Sequence, residues 1–208
     1  MSANQELFEF KFYEWEKKFR DNPYLRQPFG DEWEEYTWGK VGDMARRLAT
    51  GLKSLGLRDG AHIGIYSKNC REWIISDLAI VMAGYVSVPF FPSLNGKELS
   101  YIMEYGDVDA LFLGKIETWE DIKNDLPNDM PMITFPHYKG CSKVTRGFKW
   151  HDFINSYEPI QNPNKPKLSD LWTIIFTSGT TGNAKGVMLT YQAIDGIKVV
   201  LDDPNNPL

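Results

Sequence analysis

The feature that most constrains the fold is a regular alternation of helical and strand patterns between residues 41 and 114. Apolar residues recur at helical spacing from Val41 to Leu55, and Gly56 follows as the expected helix end. The segment GAHIGIYS is then typical of a strand, and CREWIISDLAIVMAG of a second helix that ends at Gly84. This order predicts an α/β fold in which helices are layered on a largely parallel sheet.

The alternation continues toward the carboxyl side. YVSVPFF predicts a short strand, because Pro89 cannot donate to a strand ladder and Pro92 favours a turn. GKELSYIMEYG predicts a helix and DALFLG a strand, and short elements are expected near PMITF and KWHDFINS. Residues 158–170 contain three prolines and predict an exposed connector that returns the chain to a further strand, LWTIIFT.

Composition and charge exclude several classes of protein. The 208 residues are 42% hydrophobic and 25% charged, which is typical of a globular chain. A net charge of -5 disfavours a nucleic-acid binder. The two cysteines have no CxxC spacing and the three histidines are scattered, so neither a disulfide framework nor a metal cluster is expected. The sequence contains no secretory signal and no apolar stretch of about 18 residues, which predicts a cytoplasmic protein.

Residues 1–30 are predicted to form an N-terminal helix and its lead-in. Four aromatic residues fall on one face of that helix at helical spacing, namely Phe8, Phe12, Trp15 and Phe19. The helix can dock on the body of the protein through this face. Alternatively it can make a peripheral contact with a membrane surface, aided by four cations, Lys11, Lys17, Lys18 and Arg20; the interspersed glutamates weaken that alternative.

The segment TSGTTGNAKGVMLT carries the strongest indication of chemistry. Gly179, Gly182 and Gly186 allow the backbone to turn and to bring amide N–H groups close to an anion. Hydroxyl donors and one cation surround them, namely Thr177, Ser178, Thr180, Thr181 and Lys185. The 177–185 loop is therefore predicted to bind phosphate.

The flanking sequence distinguishes this loop from other phosphate-binding motifs. A Walker A motif requires a lysine followed by serine or threonine at the start of a helix, whereas Lys185 is followed by Gly186 and the apolar run VML. No G-x-G-x-x-G fingerprint is present in the segment. The expected order is strand, loop, strand and then a helix, with Thr190 as the N-cap of that helix.

The loop resembles the phosphate-binding signature of the AMP-forming adenylate synthetases, a superfamily that includes acyl-CoA synthetases, luciferases and peptide-synthetase adenylation domains. The family pattern is approximately [YF]-T-S-G-[ST]-T-G-x-P-K-G. Ala184 stands where the family usually has proline, which should loosen the free loop by about 0.4–1 kcal/mol. The matching positions are Phe176, Thr177, Ser178, Gly179, Thr180, Thr181, Gly182, Lys185 and Gly186.

The resemblance extends upstream and covers roughly residues 30 to 200. SKNCREWIISDLAIVMAGYVSVPFFPSL is similar to the corresponding segment of long-chain fatty acyl-CoA synthetases, with Phe91 in place of a tyrosine and Ser93 in place of a threonine. The match at Glu72, Trp73 and Asp77 favours this long-chain branch.

The resemblance implies an ATP-dependent ligase that converts a fatty acid to an acyl-adenylate and then to acyl-CoA. It implies that Thr177, Ser178, Gly179, Thr180, Thr181, Gly182 and Lys185 bind ATP, that Thr177 helps to hold Mg²⁺, and that the CoA site lies mostly outside this chain. The family's Y-G-x-T-E and T-G-D motifs and its lid lysine have no counterpart. Residues 1–208 therefore resemble the N-terminal lobe of such an enzyme, without its C-terminal part and lid. This portion is not expected to catalyse the reaction alone. A ligase for another acid or for an acyl carrier protein, and a non-catalytic nucleotide-binding module, remain alternatives.

Overall fold

The structure is a computed structural model that describes residues 8–177 and 184–193, with side chains from residue 12 onward. Its helices are α1 (Phe8–Lys18), α2 (Trp38–Ser54), α3 (Arg71–Ala83), α4 (Gly96–Tyr105), α5 (Trp119–Ile122) and α6 (Trp150–Asn155). Its strands are β1 (Pro23–Phe29), β2 (Glu32–Thr37), β3 (His62–Ser67), β4 (Val86–Phe90), β5 (Val108–Gly114), β6 (Met132–Thr134), β7 (Phe148–Lys149), β8 (Leu171–Thr177) and β9 (Lys185–Thr190).

Seven strands form one sheet in the order β7-β6-β5-β3-β4-β8-β9. Every neighbouring pair in it is parallel except β8 and β9, which are antiparallel. Successive side chains of a strand point to opposite faces of the sheet, so the side chains of β5 enter two cores. Ala110 and Phe112 pack with the helices α2, α3 and α6 on one face. Leu111 and Leu113 pack with α4 and α5 on the other. The predicted α/β fold with a largely parallel sheet is confirmed.

The helix α2 shows how the local sequence produces these layers. The Thr37 hydroxyl accepts a hydrogen bond from the Lys40 amide at 3.2 Å and caps the helix. The apolar stripe that includes Val41, Leu48 and Leu52 is fully buried. The chain leaves the helix through Gly56, whose φ of +68° lies in the left-handed region that glycine tolerates best.

The N-terminal helix α1 docks on α2, as one of the two alternatives predicted. The Phe12 ring is buried and lies 5.6 Å from the Trp38 ring, centroid to centroid. Glu16 is also buried and accepts two hydrogen bonds from the Arg46 guanidinium, at 2.7 and 2.5 Å. A membrane contact through the same aromatic face stays a hypothesis. No helix within residues 8–177 and 184–193 has the length and apolar content needed to cross a membrane.

The antiparallel hairpin of β1 and β2 was not predicted. Phe29 pairs with Glu32, so Gly30 and Asp31 form a two-residue turn with Gly30 at a φ of +64°. Such a turn is typical of tight hairpins, and the Gly-Asp pair was the available sequence signal. The expected end of the N-terminal lead-in, residue 30, falls inside this turn.

The predicted proline-rich connector, residues 158–170, contains no helix or strand. It lies against two helices of the body rather than separating two units. The Ile160 amide donates to the Arg46 carbonyl at 3.2 Å, and the Asn164 amide donates to the Met82 carbonyl at 2.8 Å. The connector thereby brings the chain from α6 back to β8, which joins the sheet beside β4.

Candidate functional site

The 177–185 loop joins two antiparallel strands at one end of the sheet. Thr177 is the last residue of β8 and Lys185 the first residue of β9, and the two are paired across the base of the loop. Both side chains are exposed. The remaining predicted phosphate-binding residues lie outside the described part of the chain, namely Ser178, Gly179, Thr180, Thr181 and Gly182.

The arrangement agrees with the predicted order of strand, loop and strand. A Walker A motif would place a helix at Lys185, whereas Lys185 begins a strand that continues to Thr190. Residues 191–193 are helical, consistent with the expected helix after Thr190. The rejection of the Walker motif is therefore confirmed.

The two strands hold the base of the loop firmly because β8 lies inside the sheet. Ile174 and Phe176 are buried, and the Thr173 hydroxyl donates a 2.8 Å hydrogen bond to the Ser87 carbonyl of β4. The ends of the loop are thus fixed by the sheet rather than by the loop itself. Thr177 and Lys185 occupy defined positions, as a binding site requires.

One predicted role is wrong. Gly186 was expected to let the backbone turn toward an anion, but it lies within β9 and pairs with Phe176. A Cβ atom at Gly186 would lie 3.1 Å from Ile174 Cγ2 and 3.2 Å from Phe176 Cε1. Glycine suits this position because the two side chains of β8 pack closely against the backbone of β9, and a larger residue would push them aside.

A cleft of about 480 Å³ opens beside the loop, between β4, α4 and the end of β8. Its walls are mainly apolar, and its polar lining comes from Ser93, Glu98 and Thr177. The Phe90 and Phe176 rings stack at 6.4 Å between centroids and close its inner side. The apolar lining residues are Pro89, Phe90, Phe91, Leu94, Tyr101, Ile102, Phe176 and Ala184. An apolar or aromatic group bound here would lie next to the 177–185 loop.

The segment that forms one wall of this cleft is held by a tyrosine on the neighbouring strand. The Tyr66 hydroxyl lies within hydrogen-bonding distance of the Leu94 carbonyl, at 2.8 Å, and the Pro92 carbonyl, at 3.1 Å. Burial raises the pKa of Tyr66, so it keeps its proton and remains a donor near neutral pH. Sequence reasoning did not identify the cleft, because its walls come from segments more than 70 residues apart.

The described residues offer little to a metal ion by themselves. No group of three or more histidine, cysteine, aspartate or glutamate side chains that could hold one occurs among residues 12–177 and 184–193. The Thr177 hydroxyl lies 3.5 Å from the Lys185 carbonyl, at the open end of β8. One hydroxyl suits Mg²⁺, which usually keeps several waters and binds through few protein ligands together with substrate phosphates.

The β8–β9 hairpin of this α/β sheet carries a Thr- and Gly-rich loop, a composition typical of loops that bind phosphate. The chain belongs to the AMP-binding enzyme family, whose model matches residues 12–200. The predicted family is confirmed.

The relatives found by sequence include long-chain acyl-CoA synthetases. Long chain acyl-CoA synthetase 4 of Arabidopsis thaliana is 31% identical over 194 residues, which are 86% of this chain and 29% of that protein. Fatty acyl-CoA synthetase A of Dictyostelium discoideum is 33% identical over 158 residues, which are 71% of this chain and 23% of that protein. The chain thus spans less than a third of the length of these relatives.

Solved structures show the same fold in CoA ligases. A long-chain-fatty-acid-CoA ligase from Archaeoglobus fulgidus has a TM-score of 0.76 at 19% identity, over 97% of this chain and 40% of that chain. The anthranilate CoA ligase AuaEII, in complex with anthranoyl-AMP, has a TM-score of 0.75 at 21% identity, over 89% of this chain and 35% of that chain. These neighbours confirm that the chain has the fold of the N-terminal lobe of AMP-forming ligases.

Proposed function

We propose that this chain is the N-terminal portion, residues 1–208, of an ATP-dependent ligase that activates a long-chain fatty acid. In the first step the carboxylate attacks the α-phosphate of ATP, which forms an acyl-adenylate and releases pyrophosphate. In the second step the CoA thiol attacks the acyl carbon, which forms the thioester and releases AMP. The family match, together with the paired positions of Thr177 and Lys185 at the base of the loop, supports this proposal.

The 177–185 loop binds the β- and γ-phosphates in this proposal. Its amides and hydroxyls donate to the phosphate oxygens, and Lys185 compensates their charge. Mg²⁺ bound with the nucleotide would neutralise charge on the departing pyrophosphate, and Thr177 is the residue that would help to hold it. A carboxylate is a weak nucleophile that attacks an anionic centre, so positioning and charge compensation supply most of the catalysis.

The long-chain substrate rests on the sequence relatives, since the structural neighbours include ligases for other acids. The anthranilate ligase and a benzoate ligase from Burkholderia xenovorans have TM-scores of 0.75 and 0.77, similar to the long-chain ligase. A ligase that uses another acid or an acyl carrier protein is therefore the second candidate. The proposal includes a cytoplasmic location.

A non-catalytic nucleotide-binding module is a third candidate, because the chain covers less than a third of its relatives. Expression of the longest chain that the gene encodes, followed by assay with fatty acids from C8 to C20, ATP and CoA, distinguishes the three. Formation of AMP and long-chain acyl-CoA supports the proposal, and turnover only with aromatic or short acids supports the second candidate. A gene product that ends at Leu208 and binds MgATP without turnover supports the module.

Binding of ATP to the 208-residue chain is tested separately by calorimetric titration with MgATP. We expect Lys185→Ala to weaken binding by at least about tenfold, as expected for loss of a hydrogen bond to a charged group. Lys165→Ala removes an equal charge from the exposed connector and is the matched control. Equal affinities of the wild type and Lys185→Ala would contradict phosphate binding by this loop.

A further inference from the structure

A second cavity at the carboxyl edge of the sheet is rich in cations. It has a volume of about 260 Å³ and lies beyond Gly114 and Thr134, the last residues of the adjacent parallel strands β5 and β6. Three lysines, two histidines and one carboxylate line this basic cavity: Lys115, Lys143, Lys149, His137, His151 and Asp152. The chain as a whole carries a net charge of -5, so the excess of cations is a local property.

Two lysines of the basic cavity differ from the arginines of a neighbouring cavity beside β1 and the start of α3. In that neighbouring cavity, Arg26 pairs with Glu35 at 2.7 Å and Arg71 pairs with Glu34 at 2.6 Å. In the basic cavity, by contrast, neither Lys143 nor Lys149 forms a side-chain hydrogen bond or ion pair with any residue among 12–177 and 184–193. Their charges are therefore available to an external anion.

Lys115 lines both the basic cavity and the neighbouring cavity, and its backbone conformation is unusual. Its φ is +46°, which residues other than glycine seldom adopt, and its ammonium donates to the Asn69 carbonyl at 2.6 Å. A carbonyl compensates an ammonium only in part. A non-glycine residue held in this conformation is commonly found at functional sites.

Trp150 also lines the basic cavity and carries a buried donor that has no partner among the described residues. The Trp150 side chain is only 1% exposed, and its Nε1–H has no hydrogen-bond partner among the described residues. Because nearly all buried polar groups in proteins are paired, such a donor commonly marks a bound water or ligand. The Ser142 hydroxyl lines the same cavity, whereas Pro136 and Val144 contribute apolar walls.

We propose that the basic cavity binds a small phosphorylated ligand. A phosphate group supplies the negative charge that Lys143 and Lys149 lack, and acceptor oxygens for these two lysines and for the Trp150 indole N–H. The cavity lies beyond the carboxyl ends of β5 and β6, the edge of an open α/β sheet at which ligands bind. Pockets for drug-sized ligands usually exceed about 300 Å³. A cavity of about 260 Å³ therefore suits a smaller molecule that carries a phosphate group.

The basic cavity is distinct from the 177–185 loop. The strands β6 and β8 are separated by β5, β3 and β4 in the sheet order. At about 4.8 Å between neighbouring strands, the two sites are roughly 19 Å apart. The proposal therefore does not depend on the proposed function.

Inorganic phosphate is the probe for the test, with chloride adjusted to keep the ionic strength constant. Nuclear magnetic resonance of the labelled 208-residue chain follows the rings of His137 and His151 and the indole N–H of Trp150. We expect saturable shifts at all three residues. Affinity should fall by at least about tenfold in the double variant Lys143→Gln/Lys149→Gln, because each lysine provides a charged hydrogen-bond donor.

Two further variants control the test. Lys97→Gln/Lys165→Gln removes the same charge from exposed positions outside the cavity, and it should leave the affinity unchanged. Lys185→Ala should also leave these three shifts unchanged, which separates the basic cavity from the 177–185 loop. Shifts that do not saturate, equal weakening by the control pair, or dependence on Lys185 would each overturn the proposal. If the double variant has a lower melting temperature than the wild type, the affinity is measured with the single variants Lys143→Gln and Lys149→Gln instead.

Discussion

At the scale of single residues, Lys185 combines an exposed side chain with a backbone position that β8 and β9 hold in register. A charge-assisted contact with phosphate contributes about 1.5–3 kcal/mol. If the contact strengthens as pyrophosphate departs, its loss lowers turnover more than it raises KM. In the complete ligase, Lys185→Ala should therefore reduce the rate of adenylation by about ten- to 150-fold, at about 1.4 kcal/mol per decade.

Lys185→Arg should restore only part of this rate. A guanidinium is bulkier than an ammonium group and spreads its charge over a planar fork, so it does not reproduce the point contact of a lysine with phosphate. Steady-state kinetics with ATP varied at saturating acid is the measurement. Wild-type constants in Lys185→Ala would show that the lysine is a solvated surface group.

Cys70 allows a second prediction at this scale. Burial, and to a smaller extent the nearby Glu72 carboxylate, raise the pKa of its thiol to about 11. Because the thiolate is the reactive species, Cys70 should react slowly with a thiol reagent at pH 8, whereas the half-buried Cys141 should react first. Cys141→Ser should remove the fast phase, and a persistent fast phase would place a reactive thiolate at Cys70.

The same raised pKa has a consequence for stability. The thiol of an unfolded chain ionises at a pKa near 8.5, below that of the folded chain. Its contribution to the free energy of unfolding is therefore fully present below about pH 8.5 and is lost as the pH rises toward 11. Urea denaturation at a series of pH values measures this loss.

At the scale of elements, the contact between α1 and α2 depends on a glycine. A Cβ atom at Gly42 would lie 1.9 Å from Glu16 Oε1, inside the ion pair of Glu16 with Arg46. Helix propensity alone predicts that Gly42→Ala stabilises the chain by about 1 kcal/mol. The structure predicts the opposite, a loss of about 1–3 kcal/mol through overpacking.

A double-mutant cycle tests this explanation. In the background Glu16→Ala, the obstructing carboxylate is gone, so adding Gly42→Ala should no longer destabilise the chain. The free energies of unfolding of the four proteins, from urea denaturation, provide the measurement. An equal loss in both backgrounds would show that Gly42 is required for another reason.

At the scale of the whole molecule, the 208-residue chain contains the 177–185 loop but no counterpart of the ribose-binding aspartate or the lid lysine. We therefore expect it to show no ATP–pyrophosphate exchange above background with a long-chain acid, even where it binds MgATP. The complete ligase serves as the positive control. Exchange by the purified chain would refute the proposal that residues 1–208 are an incomplete enzyme.

Much of the sheet could be predicted because it depends on local periodicity. Four parallel strands, β3, β4, β5 and β8, were each expected from short apolar runs, and the helices between them from apolar residues at helical spacing. Pro89 was expected to limit β4, and β4 is indeed short. Although proline is unusual in an interior strand, β4 lies between β3 and β8. Its pairing with β8 is made by Ser87 and not by Pro89.

The sequence by itself determined the alternation of elements, the position of the 177–185 loop between two strands and the family, because these are local properties of the chain. Only the tertiary structure decided the strand order, the packing role of Gly186, the apolar cleft and the basic cavity. Lys115 and Lys149, for example, line one cavity although 34 residues separate them in sequence. Contacts of this kind arise when parallel strands bring distant loops to one edge of a sheet, which no local pattern of residues encodes.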